Sequence, residues 1–410
     1  MTPAARLQMA IEILEGLETT AQPADRFLKS WFRIRRFAGS KDRRAIAERV
    51  FAVQRHRARF ALRMGGGSAR ALVIASALEE NLDALFSGGY GPAPLSEAER
   101  AAIAATPPPA PDWVAGEYPE WLEDELRRGF GDDLQMQMQA FIGRAPTDLR
   151  VNTLKAQRQD VIAALGAEGL TAAPTPHAPF GIRIAGEAGN LSASALFESG
   201  AFEFQDEAAQ IAADLCGARP GERICDLAAG AGGKSLAFAA AMNNSGEIVA
   251  CDVRGEALFE LEKRAARAGA TIIKTLVLED GPLDHGRPSG LFDAVFVDAP
   301  CTGTGTWRRQ PELRWRLTPA RIAYLMSVQD RLLDQAVALV RPGGRLFYAT
   351  CSILGCENQD RVAALQIRHP GLSQMNLGES RDIPGLGVDF RASPAKTGTD
   401  GFYCAGLQRA

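Results

Sequence analysis

The stretch at residues 292–315, FDAVFVDAPCTGTGTWRRQPELRW, decides how the fold of this chain is interpreted. Five of its first six residues are apolar, and four of these are valine or phenylalanine. This composition is typical of a buried strand. The run stops at Asp298, and Pro300 prevents its continuation as a central strand. The carboxylate of Asp298 and the thiol of Cys301 are therefore expected just beyond the C-terminal end of a buried strand. Ligands bind at that end of an open α/β sheet.

The second half of the stretch is rich in glycine, arginine and tryptophan. Gly303 and Gly305 predict a mobile loop that lets a ligand approach the backbone closely. An arginine–tryptophan cluster follows, made of Trp307, Arg308, Arg309, Arg314, Trp315 and Arg316. With the thiol and the carboxylate, this composition suggests a covalent enzyme that acts on a nucleic-acid base. Arg308, Arg309 and Arg314 are expected to contact phosphates. The alternative is a buried cysteine beside a solvated basic helix.

Length and composition limit the class of protein. At 410 residues, the chain is expected to form about two or three domains. It has no apolar run of 18 residues and no long apolar core at its N-terminus, so neither a membrane helix nor a secretory signal is expected. The seven cysteines include no C-x-x-C pair. This argues against a disulfide framework or a metal site and predicts a cytoplasmic protein.

Charge is distributed unevenly along the chain. The net charge is −3, but residues 1–70 hold 15 Lys/Arg against 6 Asp/Glu, and residues 71–150 hold 5 against 14. The basic first segment is expected to bind phosphates of a nucleic acid. Its alternative is a basic helical face that pairs with the acidic segment behind it.

Three domains are predicted from the hydrophobic pattern. Residues 1–140 have helical periodicity and form an all-α domain, with one apolar face formed by Leu7, Ala10, Ile11, Leu14 and Leu17 and an aromatic core patch that includes Phe27, Trp31, Phe32 and Phe37. Residues 141–205 contain strand patterns at 148–152 and 180–184 and form a small α/β module. Residues 206–410 alternate strands with helices, which predicts an α/β fold with a mainly parallel sheet.

A glycine-rich turn, DLAAGAGGK at residues 226–234, follows the first strand of that sheet. Its glycines permit close approach of a ligand, and the helix behind them favours an anionic group. Asp252 ends the second strand, where a carboxylate can accept ribose hydroxyls. Asp280 follows the third strand and is expected near an adenine. A phosphate-binding P-loop would need glycine at Ala228, and the dinucleotide motif is incomplete, so S-adenosylmethionine is the preferred cofactor.

Cys351 ends the next strand, 50 residues after Cys301. If the two strands are neighbours, the two thiols meet at the cofactor cleft. This arrangement suits methylation of carbon 5 of a pyrimidine: a thiolate adds to carbon 6, and a second thiol assists elimination. Asp298 is the candidate for polarising the ring, and the base must be unpaired or flipped. The alternative is a pair of buried structural thiols, as expected for Cys216, Cys225, Cys251, Cys356 and Cys404.

From about residue 148 onward, the motifs DLAAGAGGKS, VDAPCTGTGTWRRQPELRW and LVRPGGRLFYATCSI, followed by Glu357 and Asn358, resemble the RsmB/Sun (NOL/NOP/Sun) family of RNA cytosine-5 methyltransferases. The resemblance implies a class I, Rossmann-like methyltransferase core that uses S-adenosyl-L-methionine. It implies Cys351 as the nucleophile and Cys301 as the thiol that helps to release the product. It implies a cofactor pocket of Ala228, Ala229, Gly230, Ala231, Gly232, Gly233, Lys234, Asp252, Asp280 and Asp298.

The same resemblance gives expectations for the rest of the chain. The small module is similar to a ferredoxin-like RNA-binding domain, and the N-terminal helices are similar in place to a NusB-like domain. One departure is that the family usually has Cys and Pro where this chain has Ala228 and Ala231.

We expect RNA as the partner, with small-subunit ribosomal RNA as substrate, and no obligate protein partner. The alternatives are the same chemistry on tRNA, a non-catalytic RNA-binding assembly factor, and a small-molecule methyltransferase.

Overall fold

A computed structural model describes residues 1–279 and 288–410 of the chain. These residues form two compact units. Unit 1 comprises residues 1–144 together with 307–316, and unit 2 comprises residues 145–306 and 317–410. Asp280 lies outside the described residues. The predicted division into three domains at residues 140 and 205 stays a prediction.

Unit 1 is helical, as predicted. The apolar face predicted for its first helix is buried in the core of the unit. Phe37 was expected in the same core but is 71% exposed, because the second helix ends at Ile34 and the chain turns before Phe37. The helices are α1 (Pro3–Glu18), α2 (Ala24–Ile34), α3 (Ser40–Arg55), α4 (Arg57–Met64), α5 (Ala69–Ala75), α6 (Leu82–Leu85), α7 (Glu97–Ala104), α8 (Asp112–Ala115), α9 (Glu123–Phe130) and α10 (Leu134–Ala140).

Unit 2 begins with a small antiparallel sheet of strand order β2-β3-β1-β4. The strands predicted at 148–152 and 180–184 are both present in it, shifted by one residue. Its core is formed by apolar residues of the strands and of one helix, including Leu149, Leu165 and Phe202. The elements are β1 (Thr147–Val151), α11 (Arg158–Ala167), β2 (Thr171–Pro174), β3 (Gly181–Ala185), α12 (Ala195–Glu198) and β4 (Phe202–Phe204).

The rest of unit 2 is a larger sheet flanked by helices. Its elements are α13 (Glu207–Leu215), β5 (Arg223–Leu227), α14 (Gly233–Ala241), β6 (Glu247–Asp252), α15 (Gly255–Ala268), β7 (Ile273–Val277), β8 (Phe292–Asp298), α16 (Leu313–Arg316, which belongs to unit 1), α17 (Pro319–Leu339), β9 (Val340–Thr350), α18 (Gln359–Arg368), β10 (Leu372–Gln374), β11 (Asp389–Ala392), α19 (Pro394–Thr397) and β12 (Phe402–Arg409).

The strand order of this sheet, β10-β12-β9-β8-β5-β6-β7, confirms the predicted α/β core. Strands β5 to β9 pair in parallel, and β12 is antiparallel to β9. The chain runs outward from β5 to β7 and then returns to the other side of β5 with β8. This reversal opens a crevice at the carboxyl ends of β5 and β8. The sequence predictions put the functional residues at that edge.

The arginine–tryptophan cluster is built into unit 1 and does not form a phosphate-binding loop as a whole. Arg314 is fully buried and donates to the backbone oxygens of Glu117 (2.9 Å) and Phe141 (2.6 Å). Trp307 is buried against the ring of Phe141. Burial lowers the pKa of Arg314 to about 9. The phosphate-contact prediction is therefore wrong for Arg314, because its side chain is fully buried and both terminal nitrogens donate to backbone carbonyl groups.

Replacement of Arg314 by Met is expected to destabilise unit 1. Two buried carbonyl acceptors would lose their partner, at a cost of about 1–3 kcal/mol each. All five tryptophans of the chain lie in unit 1, so tryptophan fluorescence during urea denaturation reports on this unit alone. The control is Arg309→Met in the same segment, at an exposed position. Equal denaturation midpoints for the two variants would contradict the structural role of Arg314.

Candidate active site

The glycine-rich turn between β5 and α14 is held in one conformation by backbone hydrogen bonds. Ala229 N donates to Cys251 O (2.8 Å), and Gly232 N donates to Ala229 O (2.9 Å). Gly232 has a φ of +80°, and a Cβ there would lie 1.9 Å from a methyl carbon of Leu261. Glycine is thus required at 232 by the packing of the turn against α15. Ala228 has a φ of +70°, which is uncommon for a residue with a side chain.

Asp252 connects this turn to the end of β6. One of its carboxylate oxygens accepts from Gly230 N (2.8 Å), and the other accepts from Arg254 N (2.8 Å). Burial by itself would raise the pKa of Asp252, but the hydrogen bonds from Arg254 and Gly230 outweigh it and the pKa lies below its ordinary value. The carboxylate is ionised, and both of its oxygens also accept from the Arg254 guanidinium (3.0 Å each). The side chain of Arg254 is 63% exposed, so a ribose hydroxyl can replace it as the donor.

A cavity of about 420 Å³ lies at the carboxyl edge of the sheet. Three predicted residues line it, namely Ala228, Asp252 and Asp298. Its apolar walls come from Leu278 and from one side of α17, including Leu325. The volume falls within the range of small-molecule sites, roughly 300–1,000 Å³. The lining combines the carboxylates of Asp252 and Asp298 with apolar side chains and with polar ones such as Arg321 and Gln335, a mixture that suits a nucleoside.

The remaining described residues of the predicted cofactor pocket do not line the cavity. Ala229, Gly230, Ala231, Gly232 and Gly233 shape the turn and do not line the cavity. Lys234 is buried, and its ammonium group lies 2.8 Å from Asp298 Oδ2. The pair joins the start of α14 to the end of β8, two of the elements on which the site is built.

The two thiols meet. Cys301 follows β8 and Cys351 follows β9, and the parallel pairing of these strands brings Cys301 Sγ to 3.4 Å from Cys351 Sγ. The predicted adjacency is confirmed. The pKa of Cys301 lies well above its ordinary value, because the thiol hydrogen-bonds with Cys351 and is buried, and because Cys351 and Glu357 place negative charge near it. Cys301 is therefore protonated at neutral pH.

The loop that holds Cys301 is anchored to the protein, which corrects the expectation of a mobile loop. Gly305 N donates to Cys351 O (2.9 Å), and Gly401 N donates to Gly305 O (2.9 Å). A Cβ at position 305 would lie 2.0 Å from Gly401 O. Gly305 is therefore small so that the protein's own backbone can approach, and no ligand is needed to explain it.

Glu357 is the residue that sequence reasoning missed. Its fully buried carboxylate accepts hydrogen bonds from the Thr302 backbone N (3.0 Å), the hydroxyls of Thr302 and Ser352 (2.5 Å each) and the side-chain amide of Gln329 (3.0 Å). It thus ties the residue after Cys301 to the residue after Cys351. The sequence does contain a signal for it, since an acidic residue six positions beyond Cys351 is part of the family resemblance. No function was predicted for that residue.

Comparison with known proteins agrees with the family resemblance found in the sequence motifs. Residues 215–408 match the family model described as 16S rRNA methyltransferase RsmB/F, and residues 118–189 match one described as a Methyltr_RsmF/B-like, ferredoxin-like domain. The chain is 31% identical to Ribosomal RNA small subunit methyltransferase B of Xylella fastidiosa over 71% of its own length and 68% of that protein.

Two further matches extend the comparison. A Synechocystis protein named "Probable ribosomal RNA small subunit methyltransferase B" is 35% identical over 60% of this chain, and the chain spans only 55% of that relative. The solved structure of PH0851 superposes with a TM-score of 0.80 at 26% identity and covers 100% of this chain and 99% of its own. In the part of the chain that the structure describes, no helix is long and apolar enough to cross a membrane.

Asp226 at the end of β5 is expected to make stability depend on pH. Burial raises its pKa to about 7, and it accepts a hydrogen bond from Ser235 Oγ. Between about pH 4 and 7 the folded state holds a proton that the unfolded state has released, so stability falls as pH rises, by up to about 1.4 kcal/mol per pH unit. Asp226→Asn should remove this slope.

The measurement is urea denaturation followed by circular dichroism at several pH values. The control is Asp83→Asn at an exposed site, which should keep the wild-type slope. An unchanged slope in Asp226→Asn would show that Asp226 ionises normally.

Glu357→Gln is expected to lower the pKa of Cys301, because the substitution removes a nearby negative charge. The rate of Cys301 alkylation by iodoacetamide, measured by mass spectrometry across pH, should then rise at a lower pH than in the wild type. Glu379→Gln, at an exposed site, is the control. A faster reaction at every pH without a shift of the midpoint would mean that Glu357 only restricts access.

Proposed function

The chain belongs to the RsmB/F family of 16S rRNA methyltransferases, and on that premise we propose that it transfers a methyl group from S-adenosyl-L-methionine to carbon 5 of a cytosine in RNA. Small-subunit ribosomal RNA is the proposed substrate. The observation that carries the proposal is the separation of 3.4 Å between Cys301 Sγ and Cys351 Sγ, beside a cavity that Asp298 and Pro300 line. Cytosine-5 chemistry needs one thiol to add to the ring, and a second gives a route to release.

The cavity is the proposed site of the cofactor, which supplies an activated methyl group on a sulfonium. Asp252 would accept the ribose hydroxyls, since its carboxylate is ionised and faces the cavity. Leu278 and Leu325 would pack against the apolar part of the nucleoside. The turn at residues 228–234 would hold the amino-acid end near the start of α14. Asp280 is retained as a proposed contact of the adenine.

Cys351 is the proposed nucleophile. Its sulfur would form a bond to carbon 6 of the cytosine, and the electrons of the 5,6 double bond would then bond carbon 5 to the methyl group as the bond from that methyl group to the sulfonium sulfur breaks. A water molecule would take the proton from carbon 5, and the electrons of that C–H bond would restore the 5,6 double bond while the carbon–sulfur bond breaks and the thiolate of Cys351 is released. The thiol of Cys301 would assist this last step by hydrogen bonding to the departing sulfur. The attacking species is a thiolate. The contact between the two thiols supports this assignment, because it places Cys301 within hydrogen-bonding distance of the sulfur that attacks the ring.

Asp298 is the proposed polar contact of the base, and Lys234 positions it. Asp298 lines the cavity next to the loop of Cys301, and its side chain is 34% exposed. The buried ammonium group of Lys234 fixes the position of that carboxylate. A carboxylate in a fixed position can hydrogen-bond the amino edge of a cytosine and hold carbon 6 within reach of Cys351.

Two alternative functions are also considered. The same chemistry on tRNA uses the same residues and differs only in substrate. A non-catalytic RNA-binding assembly factor would keep the cavity but not need the thiols. Its basis is the basic first segment and the alanines at 228 and 231, where the family usually has Cys and Pro.

The test combines purified protein with S-adenosyl-L-methionine and unmodified transcripts of 16S rRNA or tRNA. The wild type is expected to form 5-methylcytosine in 16S rRNA, measured by nucleoside mass spectrometry. Cys351→Ala should form none. Cys301→Ala should accumulate a protein–RNA adduct that survives denaturing electrophoresis, because the addition occurs and the elimination is slow.

The controls are Cys216→Ala, a buried cysteine away from the cavity, and the double variant of both site thiols. Adducts with Cys351→Ala instead of Cys301→Ala would reverse the roles of the thiols. Product only with tRNA would change the substrate. No product and no adduct with either RNA would favour the assembly factor, whose effect on ribosomes should persist in Cys351→Ala.

A further inference from the structure

The α2–α3 corner, which we define as residues 26–41, carries a cluster of unpaired cations. The segment contains six Lys or Arg and no Asp or Glu. Among the described residues, five of these side chains are exposed and have neither an ion pair nor a side-chain hydrogen bond: Arg26, Lys29, Arg33, Arg36 and Lys41. The sixth, Arg35, stacks on Trp31, with 3.8 Å between the guanidinium carbon and the ring centroid.

Several other basic residues of unit 1 pair with carboxylates. Arg70 pairs with Glu99 (2.7 Å) and Arg100 with Asp83 (2.7 Å). Arg49 pairs with Glu80. The acidic segment at 71–150 thus neutralises part of the basic first segment, as one of the two sequence interpretations predicted. Among the described residues, the five exposed cations of the α2–α3 corner have no carboxylate partner of this kind.

Two large apolar side chains project from the same corner. Ile34 is 75% exposed and Phe37 is 71% exposed. The turn that carries Phe37 is well anchored, because Ala38 is buried, its N donates to Arg35 O (3.2 Å), and Arg43 Nε donates to Ala38 O (2.7 Å). Phe37 is therefore held outward by an ordered turn and is not the end of a frayed segment.

We propose that the α2–α3 corner is a second RNA-binding surface, at which Arg33, Arg36 and Lys41 contact phosphates and Phe37 stacks on an unpaired base. Five unpaired like charges repel one another, and an exposed phenyl ring orders water around it. RNA reduces both effects, because its phosphates neutralise the cations and its bases can stack on the phenyl ring. An acidic protein surface would meet the charges but has few planar groups to cover Phe37. The inference rests on the proposed RNA substrate and adds a contact outside the cavity.

The charges are tested in the full chain with the triple variant Arg33→Gln, Arg36→Gln and Lys41→Gln. The matched control is Arg100→Gln, Arg127→Gln and Arg128→Gln, which removes the same charge from arginines that are already paired with carboxylates. Binding to an unmodified 16S rRNA transcript is measured from 50 to 200 mM salt. The corner variant should bind roughly tenfold more weakly, and its salt slope should fall by about 2–3, the value for three lost phosphate contacts. The control should keep the wild-type slope.

Phe37 is tested separately because it has no charge. Phe37→Ala should weaken binding by about tenfold, the loss expected for one stacked base, with an unchanged salt slope. Phe37→Trp should restore binding. For all corner variants the KM for methylation should rise while kcat stays near the wild-type value, since no corner residue belongs to the proposed reaction site.

Three results would overturn the inference. The first is equal loss of binding in the corner variant and in the matched control, which would show a dependence on net charge only. The second is wild-type RNA binding in both the triple variant and Phe37→Ala. The third is unchanged RNA binding with lost flotation on phosphatidylserine vesicles, which would identify a membrane contact. Failure of the proposed function is a separate result, seen as no 5-methylcytosine from the wild type.

Discussion

The parallel pairing of β8 with β9 is the interaction on which the site depends. Its register sets Asp298 opposite Ala349, so the two strands end at the same level and their following residues, Cys301 and Cys351, emerge side by side. The strands themselves are rigid, because both faces of the sheet are buried in apolar cores. The loops beyond the strand ends contain only single turns of 3-10 helix, Thr304–Thr306 and Gly355–Glu357, so the thiol separation of 3.4 Å depends mainly on where the two strands end.

Glu357 fixes the two loops that follow strands β8 and β9. A fully buried carboxylate is costly unless its oxygens are satisfied, and this one accepts four hydrogen bonds from two loops and a helix. The same charge that fixes the loops also lies near Cys301 and helps to keep that thiol protonated. One residue therefore contributes both to the spacing of the two thiols and to the raised pKa of Cys301.

The sequence predicted those parts of the structure that depend on local patterns. Period-two and continuous apolar runs located most strands, and Pro300 located the end of β8. Contacts between distant segments could not be predicted. Gly305 was explained by a ligand, yet its partner is the backbone of Gly401, 96 residues away along the chain. Arg314 was assigned to phosphates from its composition, yet its burial is decided by carbonyls at residues 117 and 141.

The turn at Ala228 shows why the departure from the family motif is compatible with a cofactor site. A residue with a Cβ at a φ of +70° is strained, at a cost on the order of 1 kcal/mol. Alanine has the smallest such side chain, so it keeps the cavity open where Ala228 lines it. The strain is held by the bonds from Ala229 N to Cys251 O and from Gly230 N to Asp252. These bonds lie within the protein, so the backbone strain at Ala228 is offset by contacts of the turn itself and of the neighbouring strand β6.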